Sequence, residues 1–131
     1  MAAFTDAERD YLAGQRLARL ATASREGTPD VSAVGFGLDG DDIVSGGLDL
    51  TKTIRYRHLQ ANPIATLVVD DLASTDPWQP RGIKVRGRAT LDDDHGRPRI
   101  RITPETVWSW GLNPPDTPKR FASIERRQVH E

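Results

Sequence analysis

The stretch that most restricts this chain is "RGIKVRGRATLDD", residues 81 to 93. Ile83, Val85, Gly87, Ala89 and Leu91 fall on one side of an extended backbone, and Lys84, Arg86 and Arg88 on the other. A period of two held this long reads as a strand, and similar runs surround it. "IATLVVDDL" (64–72) is strand-like throughout. "DVSAVGFGL" (30–38) sets Val34, Phe36 and Leu38 against Val31 and Ala33. "RIRI" resumes the alternation after the turn "DDHGRP", and "ETVWSW" follows Pro104. "RLARLATAS" is ambiguous, because Ala and Arg are poor strand formers. Turn signals such as "DGDD" (39–42) separate the runs at hairpin distance, which favours an antiparallel barrel or sandwich over a parallel sheet.

Two short helices complete the reading. In "TDAERDYLAG", Thr5 caps the first turn and Glu8 sits three places on, the reciprocal capping-box spacing. Ala7, Tyr11 and Leu12 share a face, and Gly14 closes the helix. A second helix spans 51–61 and stops at Asn62-Pro63, since the residue before proline is pushed out of helical geometry. "ASTDPWQP" reads as a loop, and the residues from Asn113 onward as a tail that is extended, mobile or docked on a partner.

The 131 residues suit one domain, 1–131, with a core over about 5–112 and a tail over 113–131. A net charge of -1 argues against bulk nucleic-acid or membrane binding. The acids in "MAAFTDAERDYLAG" do not suit a signal peptide, and no run approaches the roughly 20 apolar residues of a membrane span. A cytoplasmic location is the expectation. There is no cysteine, so thiolate catalysis and disulfides are excluded. The three isolated histidines lack metal-ligand spacing, so no metal is expected. No nucleophile elbow, zinc-protease or Walker motif occurs. Any chemistry here therefore falls to a bound cofactor.

The chain does offer an anion site. In "IVSGGLDLTKTIRYRHLQANP", Gly46 and Gly47 let a ligand approach the backbone. The start of the following helix presents free N–H groups, with Lys52 in its first turn and Arg55 and Arg57 in reach. Lys84, Arg86 and Arg88 form a second basic set. Single-stranded nucleic acid is disfavoured as its partner, because strand 81–91 carries no aromatic for bases to stack on.

These pieces, in this order, resemble the pyridoxamine 5'-phosphate oxidase-like split-barrel superfamily, and within it the deazaflavin (coenzyme F420)-dependent oxidoreductases. The K-x-x-x-Y-R helix ending in A-N-P, the V-x-G-x-A strand at Val85 to Ala89 and the closing "SWGL" at 109–112 carry the likeness. The resemblance implies a mainly β fold, a six-stranded antiparallel split β-barrel with two or three short helices. It also implies a homodimer with two cofactors in grooves between the subunits. Val31, Ser32, Ala33 and Val34 would run along the cofactor ring, Lys52 would meet its phosphate, and Thr51, Thr53 and Arg57 would flank it. Arg86 would line the groove. Coenzyme F420 is favoured over FMN because the basic residues exceed what one phosphate needs and suit an anionic polyglutamate tail. A non-catalytic carrier is the third reading. On the substrate side, Pro77 and Pro80 stiffen the 74–82 segment, and Trp78 offers a flat apolar surface to a small planar substrate.

Overall fold

The computed structural model describes residues 2–112 and 124–129. Helix α1 (Asp6–Ala13) is followed by β1 (Leu17–Ala23), β2 (Pro29–Gly35), β3 (Gly37–Asp39) and β4 (Asp42–Ser45). A 3-10 turn (Leu50–Lys52) leads into α2 (Ile54–Ala61). Then come β5 (Ile64–Thr75), β6 (Trp78–Asp94), β7 (Arg97–Trp110) and β8 (Ile124–Gln128). All pairings are antiparallel, in the order β2-β1-β5-β6-β7-β4-β3, with β8 also on β7. The two ends of that order, β2 and β3, are separated in sequence by Phe36 alone. The sheet must therefore curl until its edges meet, and Ser45 Oγ of β4 donates to Gly35 O of β2 at 2.7 Å. The result is an antiparallel split barrel.

The expected alternation of β6 is present. Ile83, Val85 and Ala89 are buried with Leu20, Leu67, Val69, Ile43, Ile100, Ile102 and Val107, while Arg86 and Arg88 are exposed. The ambiguous run 16–24 is a real strand: β1 is paired on both sides, and Ala18, Leu20 and Thr22 face inward. Neighbours on either edge outweigh weak propensity.

Strand count and boundaries differ from the sequence expectation, with eight strands described. The single run 30–38 is two strands on opposite edges, because the chain crosses the barrel seam at Phe36. The expected loop 73–80 is the end of a long hairpin, where Ser74 pairs with Gln79 and Thr75 with Trp78 around Asp76-Pro77. Within the expected tail, residues 124–128 form β8 on β7, while residues 113–123, 130 and 131 lie outside the described residues.

The barrel ends are closed by the helices. Thr5 Oγ1 accepts from Glu8 N at 3.1 Å and Glu8 Oε1 accepts from Thr5 N at 2.9 Å, completing the capping box. Glu8 does more than cap: it is 2 % exposed and paired with Arg127 of β8, whose Nη1 donates to Glu8 Oε2 at 3.0 Å. Tyr11 and Leu12 join the core. Tyr11 donates to Asp71, which Arg81 grips with two bonds of 2.6 and 2.9 Å. At the other end, α2 buries Leu59, and His58 Nδ1 lies 3.0 Å from Thr22 Oγ1. Asn62 caps α2 as expected, and Pro63 O accepts from Ala89 N. No helix among the described residues is long and apolar enough to cross a membrane.

Candidate functional site

In antiparallel pairing, directly opposed residues share a face, so the registers map the outer surface. One row runs Ala33, Arg19, Val68, Lys84, Trp108, Arg126 from β2 to β8. The next runs Val31, Ala21, Thr66, Arg86, Thr106, Gln128. Val31 and Ala33 are thus on the same face as Arg86, exposed, with three strand steps between Val31 and Arg86, roughly 14 Å. Ser32 and Val34 point the other way: Val34 is buried in the core, and Ser32 Oγ donates to Asp30. Only their backbone remains for a ligand on the outer face.

The anion segment is built differently from the expectation. Lys52 does not lie in the first turn of α2; it ends the 3-10 turn just before it. Thr53 is the N-cap, because its hydroxyl accepts from Tyr56 N at 3.3 Å while donating to Leu50 O at 2.6 Å. A threonine at this place stops the 3-10 turn and starts the helix, which leaves Thr51 and Lys52 exposed ahead of it. Arg57 is exposed on the first turns of α2.

Gly46 and Gly47 are exposed beside this turn. Gly47 has φ of 143°, a conformation that favours glycine, and the tip of the Arg55 side chain lies where a Cβ would point, 2.8 Å away at Nη2. Arg55 Nε is buried with no hydrogen-bond partner. A cleft of about 540 Å³ opens at Gly46–Asp49 and is walled on its far side by Asp94 and Arg97–Arg99 of the β6–β7 hairpin. It does not include Lys52, Arg57 or Arg86.

Sequence reasoning missed the surroundings of Trp108. Lys84 Nζ stands 4.3 Å from its ring centroid, with Arg86 at 5.1 Å and Arg126 at 5.8 Å. The alternation of "ETVWSW" was the available signal for Trp108; nothing in the sequence announced Arg126. Trp110, its neighbour in alternation, lies where a Cβ on Gly82 would meet the indole at 2.4 Å, so Gly82 makes its seat. On the substrate side, Trp78 is 58 % exposed at a hairpin tip and Pro80 half-buried behind it. Trp78 stands eight residues up β6 from Arg86, roughly 26 Å in one chain.

Asp39, Asp42, Asp71 and Asp92 are each held by arginine side chains. Asp92 receives Arg99 Nε at 2.8 Å and Arg101 Nε at 2.9 Å, and Arg101 also holds Asp39 and Asp42. Hydrogen bonds from these arginines keep the Asp39 and Asp92 carboxyls below the usual carboxylate range. Asp71 is lowered chiefly by its bond from Arg81. No set of three or more His, Asp or Glu among the described residues is placed to hold a metal ion.

A curled antiparallel sheet whose two edge strands meet at Phe36, with a helix over each end, defines a small split-barrel protein. The chain belongs to the pyridoxamine 5'-phosphate oxidase family of oxidoreductases, whose model matches residues 4–100. A Streptomyces rimosus protein, 5a,11a-dehydrotetracycline/5a,11a-dehydrooxytetracycline reductase, is 32% identical over 119 residues, covering 83% of this chain and 84% of that one. Among solved structures, the conserved hypothetical protein Rv2991 of Mycobacterium tuberculosis superposes with a TM-score of 0.70 at 18% identity, covering 83% of this chain and 86% of the other. A structure described as an F420 reductase gives 0.65 at 22% identity over 79% of this chain and 98% of its own. At such identities the two structures speak for the fold alone.

Proposed function

We propose that the protein is a deazaflavin (coenzyme F420)-dependent oxidoreductase that works as a homodimer on a small conjugated organic molecule. The observation that carries the reading is the surplus of cations without carboxylate partners among the described residues: Lys52 and Arg57 beside the glycine pair, and Lys84, Arg86 and Arg88 along β6. The orphaned Arg55 Nε fits a phosphate group at Gly46–Gly47, since a buried guanidinium N–H without an acceptor is costly. The 32% identical reductase supports a reductive reaction on an organic acceptor.

The bound cofactor would supply the hydride. The chain's own residues would bind, orient and dry the site. Gly47 permits close backbone approach, Lys52 and Arg55 fix the phosphate, and Val31 and Ala33 offer a small-residue edge along which a flat ring can lie. Holding two reactants in register is the protein's catalytic share. FMN is the second reading, favoured by the family match, because it presents the same phosphate. Titrating purified protein with each cofactor at micromolar concentration separates them. Saturable quenching of the deazaflavin's fluorescence is expected, whereas a yellow, FMN-loaded protein would reverse the choice.

Lys52→Ala should weaken cofactor binding by about 1.5–3 kcal/mol, the range for a charged hydrogen bond. Unchanged affinity in a folded variant would remove Lys52 from the site.

The dimer reading rests on the outer face. Leu17 (60 %), Val31 (66 %), Ile64 (49 %) and Ile124 (66 %) are exposed on it, an apolar set that a second copy would cover. The candidate residues on that face form an open row rather than an enclosed cavity, so a partner subunit would complete the groove and bring its own Trp78 tip toward a site that the first chain's tip does not reach. Light scattering at micromolar concentration should return twice the 14.5 kDa chain mass; a monomer would sink the dimer.

A further inference from the structure

The far end of the β5–β6 hairpin stands clear of the sheet. β1 pairs with β5 only at Thr66–Val68, and β7 joins β6 from Gly82 onward. Residues 72–80 therefore pair only with one another, as a two-stranded arm beyond the Asp71–Arg81 ion pair. Such a ribbon is marginally stable when surrounded by water, and this one leaves Leu72 and Trp78 exposed. Its single charge is Asp76. The cleft of about 540 Å³ lies at the opposite end of β6. Leu48, which lines it beside Val44 and Pro98, is 92 % exposed, more than any other large apolar side chain described. Arg97 on its far wall, like Asp76 on the arm, makes no ion pair among the described residues.

We infer that two copies of the chain exchange arms: the Trp78 tip of each enters the other's cleft at Val44, Leu48 and Pro98, and its Asp76 meets the other's Arg97. The inference rests on the homodimer proposed above and names the contact that joins it. β6 runs 17 residues from Trp78 to Asp94, roughly 50 Å of extended chain, so the tip cannot reach the cleft of its own chain. A two-fold axis across the middle of β6 sets two copies antiparallel and brings each tip to the other's cleft, so the same contact is made twice. Apolar surface then covers apolar surface, and the arm's one carboxylate finds a guanidinium without a partner. Gly46 and Gly47 line the same cleft while Lys52 lies outside it. The partner's Trp78 therefore walls the glycine pair with a flat apolar side chain and leaves Lys52 open to a phosphate.

The chain has no cysteine, so engineered disulfides report this contact directly. Asp76→Cys combined with Arg97→Cys, oxidised at micromolar concentration, should run as a covalent dimer on a non-reducing gel. A disulfide spans at most about 7 Å between Cα atoms, so the two positions cannot close within one chain. Each single variant should stay uncross-linked, as should Asp76→Cys combined with Glu26→Cys on the exposed β1–β2 turn. Charge reversal is the second measurement. Asp76→Arg should raise the dimer dissociation constant roughly tenfold, because the axis breaks the pair twice at about threefold each, and adding Arg97→Asp should restore it. Trp78→Ala should weaken the dimer by at least as much. A protein that is dimeric by light scattering yet does not cross-link 76 to 97 overturns the exchange and leaves the dimer standing. A ladder of species longer than the dimer also overturns it, because the contact is then head-to-tail. A monomeric wild type overturns both.

Discussion

Gly87→Ala should destabilise the protein by about 3 kcal/mol or more, enough to leave much of a marginal domain unfolded. A Cβ at Gly87 would lie 2.0 Å from Thr103 O, 2.8 Å from Thr103 C and 3.1 Å from Pro104 Cα. All three are backbone atoms of the paired strand and cannot swing aside as a side chain would. The cause is a bulge between β6 and β7: Arg86 pairs with Thr106 and Gly87 with Pro104, leaving Glu105 as the extra residue. Bulges bend a strand and re-aim its side chains, and this one sits directly after Arg86. The glycine of the V-x-G-x-A strand is thus a packing requirement beside the cationic row. Gly37→Ala is the control, since a Cβ there meets nothing within 4 Å and φ is not positive. Urea midpoints should fall sharply for Gly87→Ala and stay near wild type for Gly37→Ala. Equal midpoints would refute the assignment.

Arg127→Ala should cost about 2–4 kcal/mol at neutral pH, somewhat below the range for a wholly buried pair, because the Arg127 side chain is 33% exposed. It strips Glu8, which is 2 % exposed, of both guanidinium contacts. Ala3 O loses its donor as well. The pH dependence identifies the mechanism. Burial pushes the Glu8 carboxyl up, but the Arg127 bond, the Thr5 N–H, the Arg127 charge and Ser109 outweigh it, and the net position is below the ordinary 4.5. In the wild type the stability from Glu8 is therefore fully present above that ordinary value and lost as pH falls through the lower folded value. In Arg127→Ala only the Thr5 and Ser109 hydrogen bonds remain to oppose burial, so the folded pKa of Glu8 should move up and the variant should lose less stability on acidification than the wild type. The gap between the two proteins should shrink as pH drops toward and below 4.5. A gap constant with pH would mean that Arg127 acts through packing alone.

Much of this fold was legible because β6 alternates from Ile83 to Leu91, and because Asn62-Pro63 stops α2 where stereochemistry requires. What escaped was long-range. The run 30–38 keeps one alternation while its two halves join opposite edges of the sheet, and no local signal marks the crossing at Phe36. Glu8 reads as a capping residue from its spacing to Thr5, but its ion-pair partner lies 119 residues away. At the site, the glycine pair and Lys52 stood out by type, whereas the exact place of Lys52 turned on whether Thr51 or Thr53 began the helix. Trp108 and Arg126 meet Lys84 only through registers that pair three different strands.

The tie between α1 and β8 also has a consequence for biosynthesis. The ribosome delivers Glu8 119 residues before Arg127, so until Arg127 is made the first helix carries a carboxylate whose cation does not yet exist. That helix cannot settle over the barrel end at full strength until β8 has been made and has paired with β7. A product halted before Arg127 would leave the buried Glu8 carboxylate without its cation and that end of the barrel loosely closed.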